Sequence, residues 1–160
     1  MTKGFLVAVQ FLTRFDIGRH NDIWSEENCG RSVKFFPLVG ALLGAAYFAA
    51  ASLMQQSGVF PQAVTAALLL VLTIILTGGI FFDGFMDSAD GIFSGRDREK
   101  CLEIMKDSRV GANAVMAFGA VLLTEWAALF SLLSVQLPKV LFVIPIIGRF
   151  VTVIAIVMFP

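Results

Sequence analysis

The sequence predicts an all-α fold: a polytopic integral membrane bundle of four spanning helices plus an N-terminal interfacial helix, in one domain over residues 1–160. Composition is the first reason. The chain is 58% hydrophobic and 15% charged, with a mean hydropathy of +0.84, whereas soluble domains are about 45–50% apolar and about 25% charged. A 160-residue chain cannot bury so much apolar surface in a water-soluble core, so the excess calls for lipid. The second reason is four apolar runs near the roughly 20 residues that a helix needs to cross a bilayer. Backbone groups in lipid must be satisfied internally, which makes these runs helices rather than open strands.

The elements follow in order. Residues 3–15 open with an apolar stretch, Gly4–Leu12, that Gln10 interrupts and that leads to Thr13, Arg14, Phe15 and Asp16 without a small-x-small cleavage pattern. This reads as an amphipathic helix on the membrane surface rather than a cleavable signal. The spanning helices are placed at 35–54, 64–82, 112–135 and 140–159. The first carries Gly40-x-x-x-Gly44 followed by Ala45 and Ala49. Such a small-residue face lets another helix approach closely, either from the same chain or from a second copy in a homo-oligomer. Glu125 and Arg149 fall inside the third and fourth spans at matching depth, about 15 Å from the outer end by helical rise. Two readings of them stay open: a mutual ion pair that lowers the insertion cost, or an Arg149 that reaches a phosphate in a central cavity.

Charge sets the expected orientation. Lys3, Arg14, Arg19, Arg31 and Lys34 precede the first span; 55–63 carries no charge; Arg96, Arg98, Lys100, Lys106 and Arg109 lie between the second and third; Lys139 alone separates the last two. This asymmetry puts the N-terminus, the 83–111 loop and the C-terminus in the cytoplasm. Zero net charge and no Lys-rich block point away from nucleic acid. Cys29 and Cys101 are too few for a disulfide framework, and both fall on the reducing side. His20 stands alone and reads as an ordinary exposed histidine, while Trp24, Trp126 and Tyr47 are packing or interfacial residues.

The chemistry lies in the acidic segment. Asp83, Asp87 and Asp90 are spaced i, i+4 and i+7. On a helix, Asp87 and Asp90 stand at about 40° and about 340° from Asp83, so all three share one face. Like charges at that spacing repel, and more so near a bilayer. A bound cation removes the penalty, and an all-oxygen set without Cys or His selects a hard ion: Mg²⁺ or Mn²⁺, with Ca²⁺ a further candidate, rather than zinc. A merely solvated acidic helix end is the alternative, but Phe81, Phe82, Phe85, Ile92 and Phe93 interleave with the carboxylates. Downstream, Asp107 offers a fourth carboxylate, and Arg96, Lys106 and Arg109 offer cations for a substrate phosphate. Carboxylate-held metal beside Arg and Lys is what phosphoryl transfer asks for.

These residues carry a resemblance. Phe82-Asp83-Gly84-x-x-Asp87-x-x-Asp90-Gly91-x-Phe93-Ser94 and Ile104-Met105-Lys106-Asp107-Ser108-Arg109-x-Gly111 resemble the cobalamin synthase (adenosylcobinamide-GDP ribazoletransferase) family, as do Phe11-Leu12-Thr13-Arg14 and Phe35-Phe36-Pro37-Leu38-Val39-Gly40-x-x-x-Gly44. The resemblance implies a Mg²⁺-dependent enzyme of the bacterial or archaeal cytoplasmic membrane. Such an enzyme joins adenosylcobinamide-GDP to α-ribazole, or its 5′-phosphate, and releases GMP. It also implies that Asp83, Asp87, Asp90 and Asp107 are metal ligands and leaves open which is a general base, with Asp90 and Asp107 as the catalytic candidates. Members of that family continue through further membrane helices, so this chain is expected to be a fragment or a short form. A CDP-alcohol phosphotransferase shares Asp87-x-x-Asp90-Gly91, but Ser94-Gly95-Arg96 stands where that family has Ala-Arg, and its downstream aspartate pair is missing. A cation channel or transporter with an acidic vestibule is the alternative outside enzymes.

Overall fold

The computed structural model describes residues 2–15, 23–132 and 136–159, which contain helices and no strand. The helices are α1 (Thr2–Leu12), α2 (Glu26–Ser32), α3 (Phe36–Ser57), α4 (Gln62–Thr77), α5 (Ile80–Phe93), α6 (Arg98–Ile104), α7 (Ala112–Ser131) and α8 (Leu137–Met158). Three helices are long and apolar enough to cross a membrane: the continuous run Glu26–Ser57, α7 and α8. The bent pair α4 and α5 makes a fourth if counted as one broken span. The polytopic all-α reading therefore holds. Asp16, Arg19, His20 and the end of the expected third span at 133–135 lie outside the described residues.

Two boundaries depart furthest from the sequence reading. The first long helix starts well before Phe35, because the Ser25 hydroxyl accepts the Asn28 N–H at 3.2 Å and caps α2. From there α2 runs through a 3₁₀ turn, Val33–Phe35, into α3. The second apolar helix ends at Thr77 rather than Phe82. Gly78 and Gly79 adopt φ of +66° and +75°, and the axis turns by 93° into α5. Residues 83–93, read as the start of a loop, are therefore helical. At 16 residues α4 spans about 24 Å, short of a full hydrocarbon core. Its break accordingly brings α5 across the bundle while α3 and α8 are still running.

The bundle closes on the small-residue face. A Cβ added at Gly40 would sit 2.6 Å from the Pro145 carbonyl oxygen, and one at Gly44 would collide with the Phe142 carbonyl. Side chains at either position would force α3 and α8 apart. The Gly40/Gly44 face is thus occupied by α8 of the same chain, the first of the two readings of that face. At the other end of the chain, α1 is packed into the fold: Ala8, Val9 and Leu12 join Phe36, Val39, Leu43 and Tyr47 of α3 in one buried cluster. Helix α1 stops at Leu12, short of residue 15, and the Thr13 hydroxyl bonds back to the Val9 carbonyl at 2.7 Å. The next residue braces the break, since the Arg14 N–H donates to the Leu76 carbonyl at 2.9 Å. Trp126 and Gln62 tie α7 to α4 through bonds to the Ala63 and Phe130 carbonyls at 3.1 and 2.9 Å.

Gly44→Ala should destabilise the detergent-solubilised protein by about 1–3 kcal/mol through overpacking against backbone. Gly119→Ala on α7, where an added Cβ meets nothing within 4 Å, should leave stability unchanged or slightly raised. Thermal unfolding followed by circular dichroism distinguishes the two.

Candidate active site

Helix α5 is two-faced. Phe81, Phe82 and Phe85 line an open-sided cavity of the bundle, with Phe81 and Phe85 themselves exposed. Asp83 and Asp87, roughly opposite, carry the acidic side, with Asp83 exposed and Asp87 half-buried. Neither carboxylate accepts a hydrogen bond from the described residues. Asp90 behaves differently. It is buried, and its two oxygens accept the backbone N–H groups of Gly111 at 2.6 Å and Ala114 at 2.8 Å. The carboxylate therefore caps α7 from 21 to 24 residues away, where the first-turn amides lack partners and the helix dipole favours negative charge. Gly111 makes this possible: a Cβ there would lie 2.5 Å from the Asp90 carboxylate. Phe82 against Phe118, edge to face at 5.3 Å, adds an apolar contact between the same helices.

Asp107 and Arg109 sit in the short link between α6 and α7 and hold each other. The Arg109 Nη2 lies 2.6 Å from Oδ2, Nε is 3.1 Å from both oxygens, and the Arg109 backbone N–H reaches Oδ1 at 3.0 Å. These bonds pull the Asp107 carboxyl down to about 2 and push the guanidinium up. The folded value is depressed, so the clasp is complete above the ordinary carboxylate range and opens only as the pH falls toward 2. Arg96 and Lys106 are exposed, and neither forms an ion pair among the described residues.

The structure thus brings the three aspartates onto one helix without pointing them at one ion. Among the described residues no three Asp, Glu, Cys or His side chains are grouped to share a metal. Asp90 is hydrogen-bonded to α7 and Asp107 to Arg109, whereas Asp83 and Asp87, counted beside them as metal ligands in the sequence, have no such partner among the described residues. A carboxyl near 2 is a poor base at neutral pH. Asp83 and Asp87 remain open, one turn apart, with oxygen donors only. That set suits a hard cation such as Mg²⁺, which takes one or two carboxylates and completes its shell with water and substrate phosphate.

The family described as cobalamin-5-phosphate synthase matches residues 4–160. The chain belongs to that family. Among its relatives, the adenosylcobinamide-GDP ribazoletransferase of Acetivibrio thermocellus is 43% identical over 92% of this chain and 58% of its own length. Those of Desulfitobacterium hafniense and Desulforamulus reducens are 42% and 41% identical, over 96% and 100% of this chain and 61% and 63% of theirs. The chain therefore spans about three fifths of these curated relatives. No solved structure matches it. Family membership weighs against a CDP-alcohol phosphotransferase and against a channel.

Several features of this cobalamin-5-phosphate synthase family member escaped the sequence reading. The break at Gly78-Gly79 had a signal, since a glycine pair inside an apolar run marks a helix end. The pairing of Asp90 with Gly111 had none, being tertiary. The expected ion pair between Glu125 and Arg149 does not form: both line one cavity, but they are not within salt-bridge distance. Arg149 instead lies over the Phe81 ring, 4.6 Å from its centroid. Cys29 and Cys101 are free thiols, as anticipated.

Asp90→Ala should cost about 1–2 kcal/mol, the scale of a lost helix cap, whereas Asp83→Asn should be neutral or mildly stabilising because it removes a like charge. Denaturant titration compares them. In carboxyl ¹³C NMR of the folded protein, Asp107 should titrate near 2, and Arg109→Gln should return it toward the ordinary range.

Proposed function

We propose that this chain carries the acidic centre of an adenosylcobinamide-GDP ribazoletransferase of the cytoplasmic membrane. It would transfer cobinamide phosphate from adenosylcobinamide-GDP to α-ribazole or its 5′-phosphate and release GMP. The observation that supports the reading is the open carboxylate pair, Asp83 and Asp87, on a helix braced from both sides, within a chain whose curated relatives bear that name. In the reaction a ribose hydroxyl of the acceptor forms a bond to the phosphorus that carries cobinamide. The bond from that phosphorus to the oxygen of the GMP unit breaks, and the hydroxyl proton is released.

Asp83 and Asp87 would hold Mg²⁺, with Mn²⁺ as a substitute. When bound, the ion neutralises charge on the diphosphate oxygens. Arg109, Lys106 and Arg96 line the same side of the sequence and would contact phosphate. Arg109 is held by Asp107 in one orientation, which limits the side-chain entropy lost on binding. The role of Asp90 is to fix α5 against α7, so that the open pair keeps its position relative to Arg109. The N-terminus and the 83–111 segment would face the cytoplasm, in line with the charge asymmetry.

The test is ribazole-dependent GMP release from adenosylcobinamide-GDP in proteoliposomes, with and without EDTA. Asp83→Asn and Asp87→Asn should each lower kcat by about a hundredfold or more while membrane insertion stays intact. Full turnover in either variant, or in EDTA, sinks the metal-site proposal. Cation flux without GMP release would favour a transporter, where broken helices are also common.

A further inference from the structure

Beside the aromatic face of α5, helices α3, α4, α5, α7 and α8 border an open-sided cavity of about 470 Å³. That volume falls within the roughly 300–1,000 Å³ of small-molecule sites, and apolar side chains make up most of the wall. Its polar groups are few. The Thr73 and Thr77 hydroxyls are spent on their own helix, at 3.0 and 2.8 Å from the Leu69 and Thr73 carbonyls. Tyr47 is 4% exposed, and its hydroxyl has no hydrogen-bond partner, although Thr73 lies beside it. Arg149 likewise keeps Nε and Nη2 buried and unpartnered.

The two orphan nitrogens are informative. Nε–H and Nη2–H form the side-on edge of the guanidinium, the fork that takes two oxygens of one oxyanion. The Phe81 ring covers the guanidinium face and leaves that edge open. With the Tyr47 hydroxyl, the cavity offers three donor groups without an acceptor among the described residues, and the oxygens of one phosphate can meet all three. Buried donors left without acceptors are costly, and a fold that keeps three of them around one space is shaped for something that arrives.

We propose that this cavity binds a phosphate group carried on an apolar or bulky organic body. The phosphate accepts from the Nε/Nη2 edge of Arg149 and from the Tyr47 hydroxyl, and the body lies along Leu70, Leu129 and Ile144. Glu125 shares the space, so its carboxylate opposes the anion. The phosphate can come from a membrane phospholipid or from a phosphorylated substrate. The site is separate from Asp83 and Asp87, which stand on the far side of α5, and only the choice of adenosylcobinamide-GDP as a probe rests on the transferase reading.

The test uses the full chain in phosphatidylcholine nanodiscs. Ligand-induced Tm shifts and Kd are measured with dihexanoyl phosphatidic acid, with adenosylcobinamide-GDP, and with dihexanoylglycerol as the uncharged control. One of the two phosphate probes should bind and stabilise, and which one does so identifies the source. Arg149→Gln should weaken that probe about tenfold or more, Arg149→Lys should not restore it, and Tyr47→Phe should weaken it severalfold. Glu125→Gln should tighten it. Without ligand, Arg149→Gln should raise Tm, because a buried unpaired cation has been removed. Should Arg149→Gln fail to fold, Tyr47→Phe, which loses one oxygen atom, carries the test. Three results overturn the proposal. The first is no stabilisation by either phosphate probe, and the second is binding unchanged in Tyr47→Phe and Arg149→Gln. The third is a ligand-free stability loss in Arg149→Gln that Glu125→Gln reverses, the mark of an ion pair.

Discussion

The Gly78-Gly79 turn governs the arrangement of everything around it. Two consecutive residues in the left-handed region are open to glycine at little cost and to other residues only with strain. Together they swing the chain by 93°. Had the helix run straight, the carboxylates of α5 would have climbed out of the bundle along the axis of α4. The turn lays α5 across the bundle instead, with Phe81, Phe82 and Phe85 on the side of the cavity and Asp83 and Asp87 on the other. Arg14 supports the turn from the N-terminal segment, with its backbone bonded to Leu76 and its side chain 3.3 Å from where a Cβ of Gly78 would stand. The packing of α1 against α3 is thereby connected to the orientation of the acidic helix.

Once α5 lies across the bundle, its far end must be fixed, and Asp90 does this. A charged carboxylate at a helix N-terminus satisfies amides that have no partner within their own helix. Here the acceptor comes from another helix, so one residue sets the separation of α5 and α7 and excludes any side chain at Gly111. The i, i+4, i+7 spacing therefore meets unlike surroundings: the first two aspartates accept no hydrogen bond among the described residues, and the third accepts two from the start of α7. Equal spacing along a helix face does not imply an equal role, because what each side chain meets depends on the neighbouring helix.

This explains how far the sequence could be read. The apolar runs, their helical state and the small-residue face of α3 were legible, because lipid leaves a backbone few options and close packing has a compositional mark. The acidic face was legible because carboxylate spacing and helical periodicity belong to the same segment. The bend appeared in sequence only as a glycine pair, and its 93° angle depends on packing. The Asp90–Gly111 bond and the clasp of Asp107 by Arg109 redistribute carboxylates that sequence alone counts as equivalent. Glu125 and Arg149 matched in depth, yet depth says nothing of azimuth, and the two side chains line one cavity without meeting.

Helix α5 is the common wall of two chemically opposite compartments. On one side of it stand the Asp83 and Asp87 carboxylates; on the other, a guanidinium and a phenol lie among apolar side chains. Its aromatic rings serve both, since Phe81 covers the face of Arg149 while the same helix holds Asp83 and Asp87 away from that cation. If the carboxylates could reach Arg149, the guanidinium would neutralise them, and neither a metal nor a phosphate would find an open partner. One turn of backbone at Gly78-Gly79 keeps unlike charges apart inside a chain with zero net charge. The resulting unpaired groups are costly to the fold and available to a ligand for the same physical reason.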